Sequence, residues 1–177
     1  MKRLLFFALV VLLLISACTA RQVTQPSATA AGPENTLEPT SLPSTMAEAH
    51  DVIVNFLTLL NAKQYADAAP LYGGEYEQLQ IFNSEIDSAD HVALWASACD
   101  NQLLQCLAVR SITFKELRGD SYVFQVEFSN LDGGLFVLGP CCGADETEMP
   151  PVSQFEYTVS RNADMKFVVM NTPPYVP

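Results

Sequence analysis

"DVIVNFLTLLNAKQYADAAPLY", Asp51–Tyr72, sets two patterns in tandem, and their order decides the architecture. Val52, Ile53, Phe56, Leu57, Leu59 and Leu60 recur at three- and four-residue spacings, as they do on a helix with one broad buried face. The reading is an amphipathic helix over residues 47–61. The following "NAKQYADAAPLY" reads as a turn and a short second helix that breaks near Pro70, where the ring removes a backbone donor and crowds the preceding turn. Gly73-Gly74 then changes the direction of the chain.

Downstream, residues 76–82 are expected to form a short strand or an irregular crossing. Ser88 is expected to cap a third helix, with acidic Asp90 favouring its positive end. In that helix Val92, Trp95, Ala96 and Cys99 fall at i, i+3, i+4 and i+7, which predicts a buried face containing Cys99. After Cys106 the period changes from helical to alternating. Residues 110–117 and 122–129 read as strands around Arg118-Gly119-Asp120-Ser121, with Tyr122, Phe124, Val126 and Phe128 on the core side of the second. Residues 135–138, 154–160 and 166–170 complete an antiparallel meander. Helices first and strands second give an α+β class, with N-terminal helices packed on one face of a curved antiparallel sheet.

The same stretch, 51–72, resembles the opening helices of the nuclear-transport-factor-two-like superfamily. Its members are α+β cones that include ketosteroid isomerases, polyketide cyclases and bacterial lipoproteins. The resemblance covers most of the region as a layout and implies a cone-like fold. It also implies that such a cone can enclose an apolar pocket with a carboxylate or histidine base and a tyrosine or carboxyl acid. "GPCCGADETEMPPVSQFEY", from Gly139, is similar to a lipoprotein family that carries the same cysteine pair.

Upstream, Lys2 and Arg3 precede an unbroken apolar run from Leu4 to Ile15. About a dozen residues is short of the roughly 20 that span a bilayer and fits a secretory signal. The run ends at Ile15-Ser16-Ala17-Cys18, which resembles the lipobox of bacterial lipoproteins. The resemblance implies removal of residues 1–17 and acylation of Cys18, whose chains hold the protein to a membrane at about 0.8 kcal/mol per buried methylene. Residues 18–45, rich in Thr, Ser, Pro, Ala and Gln, cannot form a core and read as a disordered linker. Such a linker reaches on the order of 30 Å as a coil, or about 80 Å if extended. Residues 46–177 read as a single domain. The expected location is extracytoplasmic, lipid-anchored at the cell or outer membrane.

The chain has a formal net charge of −11, and residues 46–177 contain six Lys and Arg against eighteen Asp and Glu. Nucleic-acid binding needs a basic footprint that is missing here. The expected partners are the membrane, through the lipid on Cys18, and an unidentified protein or small-molecule ligand.

Asp67, Tyr65, Asp90 and His91 are the candidate acid and base residues, although no spacing ties them together. His50 and His91 sit at helix starts and read as exposed or capping positions. No phosphate loop, paired-histidine helix or nucleophile constellation is present, and no cofactor is implied. Arg118-Gly119-Asp120 reads as a hairpin connection. Asn130-Leu131-Asp132-Gly133 lacks the alternating oxygens and terminal glutamate of a calcium loop and reads as a turn.

With Cys18 acylated, four thiols remain: Cys99, Cys106, Cys141 and Cys142. They permit three pairings. Seven residues along an unbroken helix rise about 10 Å, beyond the roughly 7 Å that a disulfide tolerates, so Cys99–Cys106 requires a helix end near Asp100. Neighbours in an extended segment point to opposite sides, which favours cross-links from Cys141 and Cys142 to Cys99 and Cys106. Each would contribute about 3–4 kcal/mol. A redox pair and a metal site remain alternatives, the second disfavoured because Asp145, Glu146 and Glu148 are hard ligands and cysteine is soft. The leading functional expectation is a non-catalytic binding or structural domain. A small cone-fold enzyme such as an isomerase, cyclase or hydrolase is the alternative, with thiol redox or metal handling as a further one.

Overall fold

A computed structural model describes residues 44–101 and 104–176. Helix α1 covers Ser44–Asn61, slightly ahead of the expected start, and buries Ala49, Ile53, Phe56, Leu57 and Leu60. Val52 and Leu59 pack at the edge of that stripe. The helix ends at a left-handed residue, Lys63, with φ of 60°. Gln64 N–H donates to Leu59 O at 2.8 Å and Lys63 N–H to Leu60 O at 3.1 Å, a Schellman closure with lysine where glycine is usual.

Helix α2, Tyr65–Ala68, runs into a 3₁₀ turn at Ala69–Leu71, with Pro70 early in that turn where its missing N–H matters least. Gly73 is then held against the sheet, its N–H donating to Val169 O at 2.9 Å. A Cβ at Gly73 would lie 2.2 Å from Val168 Cγ2, so close approach is the stronger reason for glycine here.

Helix α3, Glu77–Ile81, stands where a strand or crossing was expected. Only Leu79 of this segment points into the core, and Asn83 closes the helix through Nδ2 to Leu79 O at 2.7 Å. Helix α4, His91–Asp100, is capped by Asp90, not Ser88: Asp90 Oδ1 accepts from Ala93 N–H at 3.0 Å. Its buried residues are Leu94, Trp95 and Ala98, while Val92 is exposed and Cys99 half-buried. Two apolar stripes overlap in this helix, and packing against the other helices and the 3₁₀ turn selects the one centred on Trp95.

Four strands follow: β1 Ala108–Arg118, β2 Ser121–Ser129, β3 Phe155–Arg161 and β4 Phe167–Val169. They form an antiparallel sheet in chain order. Arg118 pairs with Ser121, leaving Gly119-Asp120 as a two-residue loop with Gly119 at φ 60°. This is the primed-turn geometry that fits strand twist. Register shifts at Val109/Ser111 and Phe114/Glu116 bend β1, and such bulges curve a sheet. The expected strand at 135–138 reduces to two bridges, Ser129 to Leu135 and Leu138 to Val152. Phe136 still points inward, stacked on Phe155 at 5.8 Å.

The core lies between the helices and one sheet face. Tyr122, Phe124, Val126 and Phe128 contribute as the alternation predicts, although Tyr122 is only partly buried. Trp95 is fully buried, with ring centroids of Phe56 at 5.5 Å and Tyr72 at 5.0 Å, both edge-on. Its indole N–H donates to Tyr76 Oη at 3.1 Å.

Candidate functional site

A groove of about 610 Å³ opens where the C-terminal ends of α1 and α4 meet the chain entering β1 and the turn after β2. Leu107 and Leu131 supply its apolar surface over the buried Leu60 and Leu104, and Asn61, Lys63, Tyr65 and Asp100 much of its polar rim. The left-handed turn at Lys63 aims the ammonium back across the groove. Lys63 Nζ donates to Asp100 Oδ1 at 2.7 Å, and Tyr65 Oη donates to the same oxygen at 2.9 Å. Asn61 Nδ2 donates to Cys106 O at 3.0 Å and ties α1 to the segment below α4.

Two effects set the protonation states. The hydrogen bond from Lys63, then that from Tyr65, holds the Asp100 carboxyl below its usual range. Burial, followed by the bond to Asp100, pushes the Tyr65 phenol up to about 12. Near neutral pH the groove therefore presents an ionised carboxylate and a protonated phenol, both already engaged. That arrangement fixes a polar edge along the groove. The other displaced carboxyls, Glu127, Asp145 and Glu156, are also shifted down by hydrogen bonds.

Of the four acid–base candidates, only Tyr65 reaches this groove. Asp67 is exposed on α2. Asp90 is occupied as the α4 cap. His91 is exposed and lies flat on Tyr76, with ring centroids 3.7 Å apart. Among the described residues no hydrogen bond or ion pair joins any two of the four. Asp100 and Lys63 were missed because their meeting depends on tertiary packing, and the stretch that contains Lys63 was read only for its helical pattern. The Tyr157 hydroxyl lies inside the core without a hydrogen-bond partner among the described residues, and burial drives its phenol far upward.

The cysteines depart from the expected cross-pairing. Cys99 is bonded to Cys106 across a Cα separation of 5.5 Å, and Cys141 and Cys142 are free thiols. The condition for the local bond is met: α4 ends at Asp100, and Leu104 N–H donates to Ala98 O at 3.0 Å. The idea that Cys141 and Cys142 point apart fails because Cys142 adopts φ 61°, which puts both sulfurs on one side, 2.8 Å from each other. Asp145 Oδ1 is engaged by the N–H groups of Thr147 and Glu148. Among the described residues no three His, Cys, Asp or Glu side chains assemble as a ligand set.

Cys18, residues 1–17 and the linker up to residue 43 lie outside the described residues; Ser44 and Thr45, assigned to the linker, open α1. No described helix is long and apolar enough to cross a membrane. No family model matches the chain, and no curated protein matches it.

Proposed function

We propose that the chain is a lipid-anchored extracytoplasmic protein whose domain works by binding at the Lys63–Asp100–Tyr65 groove and not by catalysis. The observation that carries the reading is the contrast between core and groove. Trp95, Tyr157, Phe56, Phe124 and Phe128 are fully buried and pack the interior between helices and sheet. The groove, in contrast, is open, and its volume falls in the roughly 300–1,000 Å³ range of small-molecule sites. Its ligand would have an apolar body lying on Leu107 and Leu131 and a polar end meeting Lys63 and Asp100. The Lys2-Arg3 start, apolar run and ISAC tetrad support the anchor.

Two experiments test the reading. Cells fed labelled palmitate should incorporate label into the full chain, and Cys18→Ser should lose both the label and membrane retention; a membrane-held, unacylated wild type would exclude the anchor. The isotope-labelled full chain in detergent would then be titrated with indole, aryl carboxylates and aliphatic amines. Amide shifts should concentrate at Lys63, Asp100 and Leu131. Shifts confined to the core, or none at the groove with any fragment, would defeat the binding assignment.

A further inference from the structure

The loop between the Leu138–Val152 bridge and its two adjacent cysteines contains chemistry that the groove does not use. Leu138 N–H and Val152 N–H each donate to the other's carbonyl, at 2.8 and 2.9 Å, and close the loop at its base. At its head, Ala144 N–H donates to Cys141 O at 3.0 Å, making a turn around Cys142 and Gly143. Both turn residues have positive φ, 61° at Cys142 and 93° at Gly143. Glycine adopts that conformation freely and cysteine does not. The turn overrides the alternation of an extended strand, so neighbouring thiols face each other. Their sulfurs are 2.8 Å apart, with Cys142 exposed and Cys141 partly covered.

We infer that Cys141 and Cys142 form a redox-exchanging vicinal dithiol whose reaction partner is a disulfide, either of a thiol oxidoreductase or of a small molecule. In the first step exposed Cys142, as its thiolate, attacks one sulfur of the partner R–S–S–R. An S–S bond breaks, the Cys142–S–S–R bond forms, and one RS⁻ leaves. In the second step Cys141 loses its proton and attacks Cys142 Sγ, forming the vicinal disulfide and expelling the second RS⁻. The two thiol protons end on two R–SH, so the dithiol is oxidised by two electrons and the partner disulfide is reduced. The assignment of roles follows from access: the more exposed sulfur meets the partner, and the covered one lies within reach to resolve the intermediate. The hydrogen bond to Cys142, with burial, also holds the Cys141 thiol above its usual range, consistent with its acting second. This site is independent of the groove, and the Cys99–Cys106 bond takes no part in it.

The test uses the full chain in detergent, equilibrated across reduced-to-oxidised glutathione ratios, quenched in acid, alkylated, digested and weighed. The expected result is one two-electron transition in which the 141–142 peptide goes from doubly alkylated to unalkylated and two hydrogens lighter, while Cys99–Cys106 stays bonded. In Cys141→Ser a mixed disulfide with glutathione should persist on Cys142. In Cys142→Ser, exchange should slow because the partly covered Cys141 must make the first attack, with Trp95 fluorescence confirming that both variants are folded. The proposal is overturned if Cys141 or Cys142 is linked to Cys99, Cys106 or a second chain. It is also overturned if both thiols stay alkylatable at every ratio.

Discussion

Tyr157 and Trp95 are both buried aromatic residues with a polar atom, and they differ in whether that atom is satisfied. The Trp95 indole N–H reaches Tyr76 Oη, whereas the Tyr157 hydroxyl has no partner among the described residues. A buried hydroxyl without a hydrogen bond keeps a desolvation penalty of about 1–3 kcal/mol. Tyr157→Phe is therefore expected to stabilise the protein, by about 1 kcal/mol, read from urea midpoints; a comparable loss would mean that the hydroxyl finds a partner in solution. Trp95→Ala should cost about 3–5 kcal/mol, because it empties the space between Phe56 and Tyr72 and removes the indole donor to Tyr76 Oη. The wish to bury both rings is plain from their apolar faces, but satisfaction of the hydroxyl depends on neighbours supplied by other elements.

At the scale of elements, the connections set the geometry. The Cys99–Cys106 bond closes a short loop from the end of α4 to the entry of β1. In the chain-entropy account a closure of that size contributes about 2 kcal/mol. Replacing both cysteines by alanine should lower the unfolding free energy by about that amount and loosen the groove they line, while leaving the Cys141–Cys142 pair unchanged. Two glycines separate the effects of space and of φ. Gly119→Ala meets nothing within 4 Å but must hold φ 60°, costing about 1 kcal/mol. Gly73→Ala has no positive φ, yet its Cβ would collide with Val168, costing about 1–3 kcal/mol. Hydrogen exchange distinguishes the two causes: the Gly73 amide, bonded to Val169 O, should lose protection in the second variant alone.

At the scale of the whole molecule, pH dependence is dominated by tyrosine. The phenols of Tyr65 and Tyr72 are pushed up to about 12, chiefly by burial, and those of Tyr76 and Tyr157 are raised by the same cause. Unfolded tyrosine titrates near 10, so above that value the unfolded chain releases protons that the folded chain retains. The stabilisation is complete below about pH 10 and is lost as pH rises through the folded values, up to and beyond about 12. The expected urea midpoint is flat to about pH 9 and falls steeply above about pH 10, and Tyr72→Phe should make that fall shallower. On the acid side Asp100, Glu127, Asp145 and Glu156 have lowered values. Their contribution is present above the unfolded carboxyl range and lost as pH falls through the folded values. Exposure and salt screening make that limb shallow. A limb that is steeper in acid than in alkali would contradict this account.

Periodicity alone determined the class of this protein. The apolar spacing of residues 52–60 requires one buried helical face, and the alternation of Tyr122, Phe124, Val126 and Phe128 requires one buried sheet face, because each period is fixed by backbone geometry. The cysteine count also defined the possible pairings, and the glycine-rich punctuation located the main hairpin. Tertiary structure decided which of two overlapping stripes α4 buries, since Val92 and Leu94 are equally apolar and only packing ranks them. It also decided that Asp90 caps α4, that Lys63 and Tyr65 converge on Asp100, and that Cys99 bonds to Cys106 while Cys141 faces Cys142. Each of those outcomes depends on where an element ends or on the sign of one φ, and local composition constrains both only weakly.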